Sequence, residues 1–161
     1  MVHTIENEII ERLDGEQRET ALGFMDYLNA NGMAPKLWFG PGYWIVPGDG
    51  YNLFGICIYE KNPGADKQGW VLWFFNGDYD GAADEDLKEF IRSKTGLCVD
   101  CYGECESKGV SMTVFGNEYE NLCYQFPVRI NNPDGAEIGM VKRLIEYWKT
   151  VAPYSDGLHV K

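Results

Sequence analysis

At 161 residues with a formal net charge of −11, the chain can bury one sizeable core but is too acidic for a general nucleic-acid or anionic-membrane surface. Its 45% apolar and 14% aromatic residues exclude a disordered acidic tail. The 14 Lys and Arg residues are scattered among acids, so the sequence shows no basic patch for phosphate binding.

The first part of the chain predicts two amphipathic helices. Apolar side chains at helical spacing run from Ile5 to Leu13, and Asp14-Gly15 ends this first helix. The second helix is predicted over about 16–29, and an Asn-Gly pair after it supplies a C-terminal stop. The segment 1–32 is therefore expected to be helical.

The same N-terminal segment bears on localisation. It is acidic and lacks the basic start, continuous apolar stretch and small-residue cleavage site of a signal peptide. No apolar run approaches the roughly 20 residues that are needed to cross a bilayer. We therefore expect a cytoplasmic protein with no membrane partner, in a compartment where disulfides are uncommon.

Residues 36–76 are predicted to form an antiparallel β-meander. Four runs in this segment are rich in β-branched and aromatic residues, and they begin at Lys36, Tyr43, Asn52 and Trp70. The runs are separated by Gly-Pro-Gly, Pro-Gly-Asp-Gly and Asn-Pro-Gly-Ala-Asp, which are strong turn signals.

The rest of the chain alternates between helical and irregular patterns. The run Asn132-Pro133-Asp134 resembles a cap, a first-turn proline and an acid at the start of a last helix. The predicted segments are a helix over 84–95, a cysteine-rich loop with short strands over 97–126, a helix over 133–151 and a peripheral tail over 153–161. Helices at both ends and in the middle predict one α+β domain over 1–161, with an antiparallel sheet covered mainly on one face.

Four of the five cysteines follow the pattern Cys98-x2-Cys101-x3-Cys105-x17-Cys123. Two thiolates three residues apart can bind one ion from a tight turn, and a third from the same loop and a fourth from a nearby strand complete a tetrahedron. This is the geometry of closed structural zinc sites, so we expect these four residues to bind zinc. Cys57 lies within a predicted strand and is expected to belong to the core or a sheet face.

Other interpretations of these cysteines stay open. Free cysteine is among the most buried residue types, so the side chains can be inert core thiols. A redox pair at Cys98 and Cys101, or a disulfide, is a further alternative, although the strand and helix of a thioredoxin-like site are missing. An iron–sulfur cluster fits less well because the ferredoxin spacings do not match.

From about Tyr43 to Val151 the order of features resembles a group of small uncharacterised proteins of Firmicutes bacteria. That group carries strands with a tryptophan, a C-x2-C-x3-C-like loop, a Thr-x-x-Gly-[Lys/Asn]-x-[Phe/Tyr]-x-x-x-Cys run, and an Asn-Pro before a terminal Lys-x-Leu-Ile helix. The matching residues are Cys98, Cys101, Cys105, Thr113-Val-Phe-Gly116-Asn-Glu-Tyr119, Cys123, Asn132-Pro133 and Lys142-Arg-Leu144-Ile145. Asn117 stands where the group is expected to prefer Lys. The resemblance implies a bacterial protein whose four cysteines act as a set, and it brings no established activity.

The meander contains more aromatic residues than helix packing on one sheet face requires. Strand alternation places Trp70 and Phe74 on one face and Trp73 and Phe75 on the other, so both faces are apolar there. One face can bind a small aromatic or amphipathic ligand, pack against a partner chain such as a second copy, or be covered within the domain. The candidate ligand-binding residues are Trp44, Tyr59, Trp70 and Trp73.

No catalytic set of residues can be assembled from the sequence. The two histidines, His3 and His159, lie near the termini and outside any zinc-protease or Ser-His-Asp pattern. We therefore predict a non-enzymatic small-molecule-binding or interaction domain with a structural zinc site. The alternative is a thiol-based redox sensor or enzyme that uses a thiolate of Cys98, Cys101 or Cys105.

Overall fold

The computed structural model describes residues 2–62, 64, 67–75, 83–98 and 109–150. It confirms the α+β prediction, since helices accompany an antiparallel sheet of five strands and a second, smaller sheet. The elements are α1 (Ile5–Arg12), α2 (Gly15–Ala30), β1 (Lys36–Gly40), β2 (Tyr43–Pro47), β3 (Asn52–Ile58), β4 (Trp70–Phe74), α3 (Glu85–Ser93), β5 (Val110–Val114), β6 (Asn117–Leu122), β7 (Val128–Asn131) and α4 (Gly135–Thr150).

The five strands lie in the order β1-β2-β3-β4-β7, and β5 pairs with β6 in the smaller antiparallel sheet. The first four strands are neighbours in chain order, as the meander prediction requires. The sequence did not predict β7. Its buried Val128 and Ile130 alternate with Arg129 and Asn131, but a run of four residues is too short for a clear period of two.

The chain divides into two compact units, and the first contains residues 1–73 and 130–139. Thr4 caps α1 by accepting a hydrogen bond from the backbone N–H of Asn7 at 3.3 Å. The apolar side of α2 contributes Phe24, whose ring stacks on Phe54 of β3 at 6.0 Å and lies 6.4 Å from the Trp70 ring of β4. These three fully buried rings form the centre of this unit's core.

The second unit contains residues 74–129 and 140–161. Asp84 caps α3 by accepting a hydrogen bond from the backbone N–H of Leu87 at 3.1 Å. Arg143 of α4 also binds Asp84, so the guanidinium and this cap hold the pKa of the Asp84 carboxyl below its usual value. Phe74 and Trp148 pack at 5.7 Å in the core of this unit.

The last helix begins with a capping box that involves Asp134 and Glu137. The Asp134 carboxylate accepts the N–H of Glu137 at 2.8 Å, and the Glu137 carboxylate accepts the N–H of Asp134 at 3.1 Å. The cap is therefore Asp134, and the prediction of a cap at Asn132 was wrong. The Asn132 side chain is instead hydrogen-bonded to the start of β4.

The predicted helical segments 84–95 and 133–151 contain α3 and α4, and 1–32 contains α1 and α2. A single domain over 1–161 stays a prediction. The tail 153–161 and residues 99–108 of the cysteine-rich loop lie outside the described residues. Within the described part of the chain, no helix combines the length and apolar character that a membrane span requires.

Candidate functional site

The two faces of the meander have different surroundings. Phe54 of β3 and Trp44 of β2 point toward α2 and α1, where they contact Phe24 and Glu8. Side chains alternate along a strand, so residues an odd number of positions from these two on the same strand lie on the opposite face. Tyr43 and Cys57 are such residues, and they are direct partners in the β2–β3 register.

Four aromatic rings are contiguous on this second face, and we call them the aromatic surface: Trp38, Phe39, Tyr43 and Trp73. The rings of Trp38 and Phe39 stack at 4.0 Å. Phe39 meets Tyr43 edge-on at 6.2 Å, and Tyr43 lies 6.0 Å from Trp73. Phe39 is 68% exposed, whereas the other three rings are partly exposed.

A bulge in β1 creates this arrangement. The β1–β2 register shifts between Leu37 and Gly40, so Trp38 and Phe39 stack although consecutive strand residues ordinarily face opposite ways. Gly55 of β3 lies beside both Trp38 and Trp73, since a Cβ at this position would make ordinary contacts with Trp38 Cζ3 at 3.6 Å and Trp73 Cβ at 3.9 Å. The aromatic surface is therefore suited to stacking with a flat apolar group.

Cys57 lies at one end of the aromatic surface. The Tyr43 and Tyr59 side chains hydrogen-bond to its sulfur, and the charged groups acting on it are Lys67 and Arg12. Burial outweighs these effects and raises the pKa of the Cys57 thiol to about 11. The thiol is therefore protonated at neutral pH, which argues against a nucleophilic role for Cys57.

A polar cleft of about 530 Å³ adjoins Tyr59. It is bordered by the α1–α2 connection, the end of β3 and the residues before β4. Its lining residues include Arg12, Asp14, Gln17, Tyr59, Lys61 and Asn132. Lys61 is already paired with Asp14 at 2.7 Å, so the opposite charges in the cleft partly neutralise each other.

Asn132 connects two segments at this cleft. Its Oδ1 accepts the N–H of Trp70 at 2.8 Å, its own N–H donates to the Trp70 carbonyl at 2.7 Å, and its Nδ2 donates to the Gln68 carbonyl at 3.3 Å. Asn132 has a positive φ of 46°, which asparagine tolerates better than most residues. We call this three-bond connection the Asn132 clasp.

A buried carboxylate lies under the meander on the helix side. Glu8 of α1 is 2% exposed, and both its oxygens accept the backbone N–H of Gly42 at 2.9 Å. It also accepts the Trp44 indole N–H at 2.6 Å and lies 2.9 Å from Nε2 of His3, whose ring stacks on Trp44. Arg12 is 3.9 Å away. With several donors around it, this carboxylate has a structural role.

The cysteine pattern is described only in part. The N–H of Cys98 donates to the Asn121 carbonyl at 2.7 Å, and Leu97 forms an antiparallel bridge with Leu122, so the segment that ends at Cys98 pairs with the strand that leads to Cys123. Cys101 and Cys105 lie outside the described residues. Among those that are described, no three His, Cys, Asp or Glu side chains form a group able to hold a metal. The four-cysteine zinc site stays a prediction.

Comparison with protein-family models, curated proteins and solved structures gave no match for this chain. The resemblance to small Firmicutes proteins therefore stays a prediction, and the residues themselves carry the functional argument.

The four predicted ligand-binding residues divide between the two faces. Trp44 and Trp70 are buried on the helix side, and the Trp70 Nε1–H has no hydrogen-bond partner among the described residues. Trp73 belongs to the aromatic surface and Tyr59 lines the cleft. Ligand binding by these four stays a prediction. The sequence did not single out Phe39, because only the bulge brings its ring beside Trp38.

Proposed function

We propose that the protein is a non-enzymatic small-molecule-binding domain that holds a flat aromatic or amphipathic ligand on the aromatic surface. The observation that carries this proposal is the contiguous array of four partly exposed rings on the sheet face opposite α1 and α2. Rings presented together offer stacking area without side-chain reorganisation, because each has few rotatable bonds.

Binding is tested by the intrinsic fluorescence of the tryptophans during titration with a panel of small aromatic compounds. Trp38 and Trp73 are partly exposed, so a stacked ligand is expected to change their emission. The proposal is contradicted if no compound changes the emission. A tight dimer that needs Phe39 would instead assign the aromatic surface to contacts between two copies of the chain.

Replacing Phe39 with alanine is expected to weaken binding of a compound found in that panel by about fivefold to tenfold, since an aromatic contact contributes about 1 kcal/mol. Unfolding free energy should change by less than about 0.5 kcal/mol, because the ring is 68% exposed. The measurement is the dissociation constant by fluorescence or calorimetry. Ile10→Ala on α1 is the control, since Ile10 is 52% exposed and lies outside the aromatic surface. Equal affinity for both variants and the native protein would remove Phe39 from the site.

We also propose that Cys98, Cys101, Cys105 and Cys123 bind one structural zinc ion in a reducing cytoplasm. The C-x2-C-x3-C spacing supports this, as does the pairing of the Cys98 segment with the strand that leads to Cys123. Cys123 Sγ accepts the backbone N–H of Phe126 at 3.4 Å, a hydrogen bond that would orient the sulfur as a metal ligand. The described cysteines Cys57, Cys98 and Cys123 are free of disulfides, which fits the compartment.

Elemental analysis of protein purified without chelator is expected to show about one zinc per chain. Cys123→Ser should lose most of that zinc, because a tetrahedral site then lacks a ligand. Cys57→Ala is the control and should retain it, since Cys57 lies outside the pattern. Metal-free native protein with one thiol that reacts rapidly at neutral pH would support the redox alternative instead.

A further inference from the structure

The polar cleft beside Tyr59 has the size of a small-molecule site, and the proposed function does not use it. Its volume of about 530 Å³ lies within the roughly 300–1,000 Å³ that is common for ligand clefts. Its floor consists of the buried or partly buried residues Arg12, Leu13, Tyr59 and Gly69, and exposed polar side chains surround them. All of these residues belong to the first unit, so the cleft lies within that unit.

Backbone and side-chain contacts hold the floor of the cleft in place. The Tyr59 N–H donates to the Gly69 carbonyl at 2.9 Å, and the Arg12 guanidinium donates to the Ile58 carbonyl at 2.9 Å. The Asn132 clasp fixes the segment that contains Gly69. A ligand would therefore meet a surface that is already formed, which lowers the cost of binding.

The cations of the cleft already have carboxylate partners. Lys61 contacts Asp14 at 2.7 Å, whereas Arg12 is 13% exposed and lies 3.9 Å from Glu8 and 3.8 Å from Glu60. A ligand anion would have to compete with these carboxylates. Among the described residues, the lining has two cations and three carboxylates, an excess of one negative charge on an exposed rim. Such an exposed charge contributes little to binding a cation, so the cleft favours neither sign of charge strongly.

Neutral hydrogen-bonding groups converge at Gly69. A Cβ on this residue would lie 3.0 Å from Gln17 Oε1 and would overlap the Asn132 side-chain amide, so both amides lie close to the Gly69 backbone. The Gln17 side chain is exposed and has no hydrogen bond to another of the residues that the structure describes. A carboxamide offers both donors and an acceptor, and a hydroxyl group can donate and accept. The Gln17 amide is therefore available to a hydroxyl group of a ligand.

We propose that this cleft binds a neutral, hydroxyl-rich molecule of the size of one sugar ring, with hydroxyl groups at the Gln17 amide and an apolar face of the ring toward Tyr59. Small-molecule sites combine apolar contact with a few placed polar groups. Leu13 and Tyr59 supply the apolar contact here. The cleft shares no residue with the aromatic surface, so the proposal does not rest on ligand binding there.

Saturation-transfer nuclear magnetic resonance with the full chain tests this proposal on three neutral hexoses: D-glucose, D-galactose and D-mannose. At least one is expected to bind with a dissociation constant on the order of 1 mM, which a few hydrogen bonds in an open cleft allow. The hexose that binds most tightly is then compared with its uronate and its 2-amino analogue, which are anionic and cationic in slightly acidic buffer. Neither is expected to bind more tightly than the neutral hexose.

Gln17→Ala is expected to weaken binding of that hexose about threefold to tenfold, since a hydrogen bond contributes about 0.5–1.5 kcal/mol. The position is exposed and alanine favours a helix, so the fold should be kept. Gln125→Ala is the matched control, because Gln125 is also exposed but does not line the cleft. Phe39→Ala should likewise leave hexose binding unchanged, because Phe39 belongs to the aromatic surface.

Three results would overturn the proposal. The first is that none of the three hexoses binds. The second is tighter binding of the uronate or the amino sugar, which would assign the cleft to a charged ligand. The third is unchanged hexose binding in Gln17→Ala, and a loss in Phe39→Ala would then place the sugar on the aromatic surface. The proposed function is tested separately with aromatic compounds, so none of these results contradicts it.

Discussion

Replacing Glu8 with glutamine is expected to lower the free energy of unfolding by about 3 kcal/mol or more, the cost of breaking a buried charged network by changing one partner. Glutamine has nearly the same shape but offers one acceptor oxygen where the carboxylate offers two. Its NH2 group would face a donor that a carboxylate oxygen now satisfies. The loss is therefore electrostatic and not a packing defect.

The contacts around Glu8 explain why the expected loss of unfolding free energy is large. Both carboxylate oxygens accept the Gly42 N–H at 2.9 Å, and the Trp44 indole donates at 2.6 Å, so the group connects α1 to the β1–β2 turn and to β2. A buried donor that loses its acceptor costs about 1–3 kcal/mol. In the variant the Gly42 N–H, which both carboxylate oxygens now accept, faces the NH2 group, although the remaining oxygen can still accept the Trp44 N–H. His3 and Arg12 also lose the nearby negative charge.

Urea unfolding monitored by tryptophan fluorescence measures this change. Glu11→Gln is the control, since Glu11 lies on the same helix but is exposed, and its unfolding free energy should change by less than about 0.5 kcal/mol. The expected loss is about 3 kcal/mol. If the unfolding free energy of Glu8→Gln instead lies within about 0.5 kcal/mol of the native value, water replaces the carboxylate contacts.

The Glu8 contacts also show what the sequence leaves out. In the sequence, Glu8 is one of several acidic residues of the first predicted helix. The periodicity of a helix does not distinguish a solvated carboxylate from a buried one. Burial is decided by Gly42 and Trp44, which lie more than 30 residues further along the chain. Most of the elements, β7 excepted, were predictable, because turn signals and periodic apolar residues are local.

The aromatic surface was only half predictable for a related reason. The sequence indicates that rings occupy both faces of the meander, and alternation assigns Trp73 correctly to the face away from Trp70. It does not indicate the bulge that brings Phe39 beside Trp38, since bulges depend on the pairing with β2. Similarly, β7 has only four residues, so it is recognised as a strand by its pairing in the sheet and not by its sequence pattern.

The second large expected effect concerns Gly69, which precedes β4 at the Asn132 clasp. Replacing Gly69 with alanine is expected to lower the free energy of unfolding by about 3 kcal/mol, from backbone strain and lost hydrogen bonds together. Its φ of 82° disfavours any side chain, and the added Cβ would overlap the Asn132 side-chain amide. Asn132 would have to move, which breaks its bonds to the Trp70 N–H and the Gln68 carbonyl.

Gly50→Ala is the matched control because it isolates the backbone contribution. Gly50 has a φ of 79°, almost the same as Gly69, but a Cβ there meets nothing within 4 Å. It should therefore cost only about 1–2 kcal/mol, the penalty for a left-handed residue with a side chain. Both variants are compared by urea unfolding in the same buffer.

The difference in unfolding free energy between Gly69→Ala and Gly50→Ala measures what the Asn132 clasp contributes to stability. An Asn132→Gly variant permits the same positive φ and removes the side chain, so it should lower the unfolding free energy by a similar difference. If Gly69→Ala and Gly50→Ala are equally destabilised, the clasp contributes nothing and the cleft does not depend on Asn132 for its shape.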